Sequence, residues 1–229
     1  MNNELASVLD LVSERGGDSD AARRPDAEVI QRLGDLGLMR LVVPTQYGGH
    51  GVHPAVLMEF TEILARIHGS TAWTAMTCNE EAGITAAYLE PEAVTALYES
   101  DPTVVIAGSG VPNGRATRVQ GGWSVTGRWG FVSGCTAADR WVLACIVEGS
   151  HPVELCFVLI EANPELIEDT WHTVGLRGTG SNHIDLAEHF VSDHWAGVVA
   201  NKSRARPDTP FYRMPSPLRF PFPKVGVAA

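Results

Sequence analysis

Along this chain the spacing of apolar residues changes once, from a helical period to an alternating one. In "DAEVIQRLGDLGLMRLVVP", Val29, Ile30, Leu33, Leu36 and Leu38 fall near every 3.6 residues, which predicts an amphipathic helix. Pro25 should sit just inside its start, and the helix should end near Gly37. "PAVLMEFTEILARIH" predicts a second helix, and "GSTAWTAMTCNEEAGITAAYL" a third with Ser70 or Thr71 as its N-cap. "EPEAVTALYES" predicts a short fourth with Pro91 in its first turn. The opening "MNNELASVLDLVSERGG" has early acids and no apolar signal core, and also reads as a helix. "RLVVPTQYGGHGVHP", broken by prolines and glycines, is a loop.

After Pro102 the period becomes two. "TVVIAG", "RATRVQ", "GWSVTGRWGF", "RWVLACIV", "ELCFVLI" and "HIDLAEHFV" are strand candidates, divided by turn pairs such as Gly121-Gly122. Helices first and strands second, without alternation, argue against a βαβ protein and predict an α+β chain. The expected parts are an all-helical domain over 1–100 and a β-barrel domain over 101–200. The Pro- and Arg-rich residues 201–229 carry no sustained period and read as an extended connector.

Composition narrows the function classes. A net charge of −10 in 229 residues, without a basic run, argues against a nucleic-acid partner. The longest apolar stretches, such as "WVLACIV", are too short to cross a bilayer, so no membrane partner is expected and the cytoplasm is the expected location. Cys78, Cys135, Cys145 and Cys156 form no C-x-x-C pair and sit among apolar residues. They read as buried thiols in a reducing compartment.

Three stretches and a set of histidines invite chemistry. "TVVIAGSGVPNG" nears the dinucleotide fingerprint, but that turn must open a helix whose N-terminus meets the pyrophosphate. Here Val111-Pro112 and a hairpin pattern follow, which leaves a strand-to-strand loop or a loop approaching some other flat ligand. His50, His53, His189 and His194 form no metal-ligand spacing, so no metal is expected. Ser109 and Ser181 miss the G-x-S-x-G pattern of a nucleophile elbow.

"HTVGLRGTGSNHIDL" reads either as a wide turn needing positive φ or as a ligand loop with Arg177, Thr179 and Ser181 as donors. In "GRWGFVSGC", positions 129, 131 and 133 of a strand share a face. Trp129 and Phe131 would give it two flat surfaces and Ser133 a hydroxyl, with Gly134 at the strand end. Taken in isolation, ordinary core packing plus a turn serine is the plainer explanation of that segment.

The order of "VVPTQYGGHG", "ARIHGSTAW", "GGWSVTGRWGFVSGCTAADRWV" and "WHTVGLRGTGSNHIDL" resembles the acyl-CoA dehydrogenase superfamily. Within it the chain looks most like the class D flavin monooxygenases, the oxygenase components of two-component systems. The resemblance runs from about residue 25 to the end. It implies an N-terminal helical domain, a middle β-barrel and a C-terminal four-helix bundle, with flavin at their junction. The bundle, with its catalytic base, is expected to be absent here, so an apolar barrel face should be exposed unless a partner covers it.

By motif position, the resemblance places Ser133 at flavin N5 as the catalytic residue, Phe131 near the ring system, and Ser109 at the pyrimidine edge. Trp129, Gly134, Arg177 and Thr179 complete the implied cofactor site. The implied cofactor is reduced FMN or FAD. The implied reaction hydroxylates an aromatic or phenolic small molecule through a C4a-hydroperoxyflavin, protected by a hydroxyl or backbone N–H at N5 and by exclusion of water.

A flavin reductase component and a homo- or hetero-oligomer are the implied partners. "SGVPNGRA" lacks the two acids that acyl-CoA dehydrogenases usually carry after the first barrel strand, which favours the monooxygenase branch. That branch often has a histidine after "STAW", where this chain reads "TAMTCNEEAG". A dehydrogenase-like protein acting on an acyl thioester, and a non-catalytic half-subunit pairing with another chain, are the alternatives.

Overall fold

A computed structural model describes residues 2–199 and 209–214. Five helices come first: α1 (Asn2–Ala22), α2 (Ala27–Asp35), α3 (Pro54–Ala65), α4 (Gly69–Tyr88) and α5 (Pro91–Ser100). Seven strands follow: β1 (Ile106–Val119), β2 (Gly122–Val132), β3 (Arg140–Val147), β4 (Leu155–Glu161), β5 (Ile167–Glu168), β6 (Asn182–Ser192) and β7 (Ala196–Val198). Among the described residues, no helix is long and apolar enough to cross a membrane.

The helix starts differ from the sequence reading in two places. Asp26, not Pro25, opens α2, its carboxylate accepting from the Val29 N–H at 3.1 Å. At α4 neither Ser70 nor Thr71 is the cap: His68 holds that position. Ser70 instead donates its hydroxyl to Asp20 Oδ1 at 2.8 Å, because Asp20 at the end of α1 is aimed at the same helix start. A carboxylate there suits the partial positive charge of a helix N-terminus.

The strands form one sheet in the order β5-β6-β2-β1-β3-β4-β7. β1 and β2 make the antiparallel hairpin around Gly121-Gly122, while β1 runs parallel to β3. The two runs read as separate strands, "TVVIAG" and "RATRVQ", are one strand interrupted by a bulge between Ser109 and Gly114. No helix opens there; the chain continues as strand to Val119.

The sheet curls around its own core, filled by Trp123, Trp129, Trp141, Leu143, Val158 and Ile184 among others. β4 and β6 face each other across a groove of about 310 Å³, so side chains rather than a ladder close that seam. The opposite faces of β3 and β4 belong to the helical core: Val142, Ala144, Phe157 and Leu159 pack with the helices. Burial on both faces is why "WVLACIV" is continuously apolar rather than alternating.

Most of the expected connector, 201–208 and 215–229, lies outside the described residues. Its described part is a one-turn helix, α6 (Pro210–Arg213), with Phe211 and Tyr212 buried. The Tyr212 hydroxyl donates to the Gly83 carbonyl at 2.9 Å.

Candidate active site

One face of α4, the bulge of β1, the end of β2 and the 171–181 loop enclose a cleft of about 350 Å³. That size lies within the roughly 300–1,000 Å³ of small-molecule sites. A larger groove between α1 and α2, about 750 Å³, is walled by surface charges such as Glu14 and Arg32 and gathers none of the stretches that invited chemistry in the sequence.

The wall from β2 is set by a break in strand regularity. Trp129 points into the barrel core, fully buried, with its indole N–H donated to the Ala144 carbonyl at 2.7 Å. The pairing with β6 then shifts register between Trp129 and Val132, and Phe131 takes φ +58°. The expected shared face of residues 129, 131 and 133 is therefore absent. A left-handed residue inserts an extra step, which keeps Trp129 and Val132 in the core and turns Phe131 and Ser133 to the cleft. Phe131 is 72% exposed at the lip, edge-on to Trp171 with ring centroids 6.0 Å apart.

Ser109, Phe131, Ser133, Thr179 and Ser181 all line the cleft. Gly134 and Arg177 do not. Gly134, at φ +78°, donates its N–H to the Thr179 carbonyl at 2.8 Å and so holds the 177–179 turn. Arg177 faces away, its guanidinium bonded to the carbonyls of Asp20 and Thr173 at 3.2 and 3.0 Å. Both serve the walls of the site.

The hydroxyls at the base of the cleft are joined. Trp73 donates its indole N–H to Ser133 Oγ at 3.0 Å. Ser133 Oγ lies 2.7 Å from Ser181 Oγ, which lies 2.7 Å from Thr179 Oγ1. Thr179 donates to the Leu176 carbonyl at 2.9 Å. Leu176, at φ +53°, is a second left-handed non-glycine residue on this cleft. Such conformations cost about 1–3 kcal/mol and persist where surrounding structure enforces them, often at functional sites.

Sequence reading passed over the α4 wall. Trp73, Thr77, Glu80 and Glu81 fall at spacings of four, three and one, so one helix face presents them to the cleft. Glu80 and Glu81 are both buried. The stretch that lacks the histidine common in the monooxygenase branch therefore supplies carboxylates in the same region of the helix. The helical period alone could have found this face, had it been asked which residues follow Trp73 by whole turns.

Asp20 ties the cleft's supports together. It accepts from Ser70 Oγ and from the Gly178 N–H, at 2.8 and 2.7 Å, with His68 Nε2 3.4 Å away. Partial burial pushes its pKa upward, but those hydrogen bonds and the nearby His68 outweigh it and hold the carboxyl below its ordinary value. Among the described residues no group of three His, Cys, Asp or Glu side chains is placed to hold a metal ion. All four cysteines are buried free thiols, and burial raises Cys135, Cys145 and Cys156 to about 12.

Helices packed on a curled sheet, with the cleft between α4 and the sheet, make this an acyl-CoA dehydrogenase-like fold. The chain is similar to the acyl-CoA dehydrogenase superfamily: residues 8–89 match the family described as acyl-CoA dehydrogenase, N-terminal domain. Over 98% of its length it is 32% identical to the flavin-dependent monooxygenase oxygenase subunit HsaA of Mycobacterium tuberculosis, covering 59% of that protein. It is 34% identical, over 83% of its length, to the oxygenase component of an FADH(2)-dependent resorcinol hydroxylase from Rhizobium, covering 47% of it. The crystal structure of 3-HSA hydroxylase from Rhodococcus sp. RHA1 superposes with a TM-score of 0.84 at 28% identity, over 98% of this chain and 61% of that one. The chain thus spans about half to three fifths of the length of these relatives.

Proposed function

We propose that this chain forms the flavin-facing part of a two-component monooxygenase that hydroxylates an aromatic, phenol-like substrate. The observation that carries this reading is the cleft, where a buried hydroxyl chain opens through Ser133 beneath aromatic side chains from α4, β2 and the 171–181 loop. A flat ring system with polar edges suits that lining: Trp73, Phe131 and Trp171 give it surfaces, and Ser109 and Ser133 give it edge contacts. Named relatives are flavin-dependent oxygenase components, which supports reduced FMN or FAD as the cofactor and a flavin reductase as the partner that delivers it.

Reduced flavin, when bound, supplies the electrons that activate dioxygen for insertion into the ring. The chain's own residues hold and protect it. Ser133 would meet N5, Ser109 would meet the pyrimidine edge, and Phe131 would cover the ring and keep water from N5. Glu80 and Glu81 place carboxylates on the α4 wall, where they can accept a hydrogen bond from a substrate hydroxyl and orient it.

Anaerobic titration with reduced and oxidised FMN and FAD, followed by flavin absorbance and fluorescence, tests the reading. Saturable binding of reduced flavin that weakens in Ser133→Ala is the expected result. Failure to bind either flavin in either redox state would overturn it. An acyl thioester added to the oxidised-flavin complex should leave the flavin spectrum unchanged; bleaching would point to dehydrogenase chemistry instead.

A further inference from the structure

The hydroxyl chain has a direction, and the direction fixes what Ser133 can offer a ligand. Both ends are set by chemistry. The Trp73 indole can only donate, and the Leu176 carbonyl can only accept. Four contacts join them, from Trp73 to Ser133, Ser133 to Ser181, Ser181 to Thr179 and Thr179 to Leu176. Four hydrogens are available, one from the indole and one from each hydroxyl. One assignment gives every contact a hydrogen: Thr179 donates to Leu176, Ser181 to Thr179, and Ser133 to Ser181. The reverse direction leaves the 2.9 Å contact between Thr179 Oγ1 and the Leu176 carbonyl with no hydrogen between two oxygens.

Ser133 therefore spends its only hydrogen inside the protein. It accepts from Trp73 and keeps one lone pair for the cleft. The backbone N–H groups of residues 133–135 are all engaged within the protein. The Ser133 N–H is taken by the Phe131 carbonyl at 2.9 Å, the Gly134 N–H by Thr179 at 2.8 Å, and the Cys135 N–H by Val132 at 3.2 Å. The far end is anchored by the left-handed backbone of Leu176, whose carbonyl also receives the Trp171 indole at 2.9 Å.

We propose that Thr179 and Ser181 are positioning residues that hold Ser133 as a hydrogen-bond acceptor toward the cleft. By doing so they favour reduced over oxidised flavin. The inference rests on the flavin reading above. Reduced flavin carries a hydrogen on N5 and can donate to Ser133; oxidised flavin has only a lone pair there and meets lone pair against lone pair. Redox preference is then built into the protein two residues away from the cofactor.

Anaerobic equilibrium titrations of the wild type, Thr179→Val and Thr179→Ser with reduced and oxidised FMN and FAD test it. Valine keeps the shape of threonine but removes the donor to Leu176, so either direction of the remaining chain satisfies as many contacts and Ser133 is free to donate outward. The ratio of reduced to oxidised affinity should narrow by about three- to tenfold in Thr179→Val. It should return to the wild-type ratio in Thr179→Ser. Should Thr179→Val not fold, Ser181→Ala removes the acceptor that holds the Ser133 hydrogen and must narrow the ratio likewise. A folded variant with an unchanged ratio overturns the proposal, as does a wild type that binds both redox states equally while still binding flavin. A wild type that binds neither overturns the flavin reading itself.

Discussion

At the scale of single residues, the glycines of "TVVIAGSGVPNG" answer to packing. A Cβ on Gly108 would lie 2.1 Å from the Val142 carbonyl oxygen, and one on Gly114 would lie 2.1 Å from Trp129 Cζ2. These two glycines let β1 approach β3 and let the Trp129 indole fill the barrel. Gly110, by contrast, has nothing nearer than Ile84 Cδ1 at 4.0 Å. Gly114→Ala should lose about 1–3 kcal/mol in urea denaturation, because a rigid buried indole must move. Gly110→Ala should stay within about 0.5 kcal/mol of the wild type. Equal losses at both positions would contradict this account. The sequence could show that glycine was needed here, but not that two positions serve the core and a third opens on a cleft. The same limit applied to Trp129: alternation paired it with Phe131 because period counting cannot foresee that Phe131 is itself left-handed.

Among the elements, the decisive contact joins the end of α1 to the start of α4 and the 177–179 turn through Asp20. Its carboxyl has a lower pKa in the folded chain than in the unfolded one, so its stabilising effect is fully present above its unfolded pKa. That effect is lost as pH falls through the folded value. Asp20→Asn should cost about 1 kcal/mol at neutral pH, a figure kept small because the side chain is 43% exposed and screened by water. In urea denaturation across the acidic range, the variant should show a shallower loss of stability than the wild type. Parallel curves would mean that Asp20 is not the group responsible. The helices themselves were legible from their period, and the β1–β2 hairpin from its turn glycines. The N-cap of α4 was not, since Ser70 has a long-range partner 50 residues away that no local pattern encodes.

For the molecule as a whole, two apolar cores meet at β3 and β4, and the described part of the C-terminal segment closes on the helical one. The Phe211 ring is fully buried and would lie 3.0 Å from a Cβ on Gly83, so α4 carries glycine where the ring presses against it. Phe211→Ala should destabilise the protein by about 3–5 kcal/mol, read as a lower urea midpoint with little change in slope. A loss under 1 kcal/mol would show that this segment adds little to the core.

The sequence by itself determined the order of helices and strands and the segments that carry chemistry. These follow from periodicity and turn residues, which act over a few neighbours. Only the tertiary structure decided which members of those segments face one another. It took Trp129, Gly134 and Arg177 out of the cleft, brought Trp73, Glu80, Glu81 and Trp171 into it, and linked Ser133 to Thr179 through Ser181. The physical reason is that a hydrogen-bond direction, like a bulge, is fixed by partners far away in the chain, and local pattern carries no record of them.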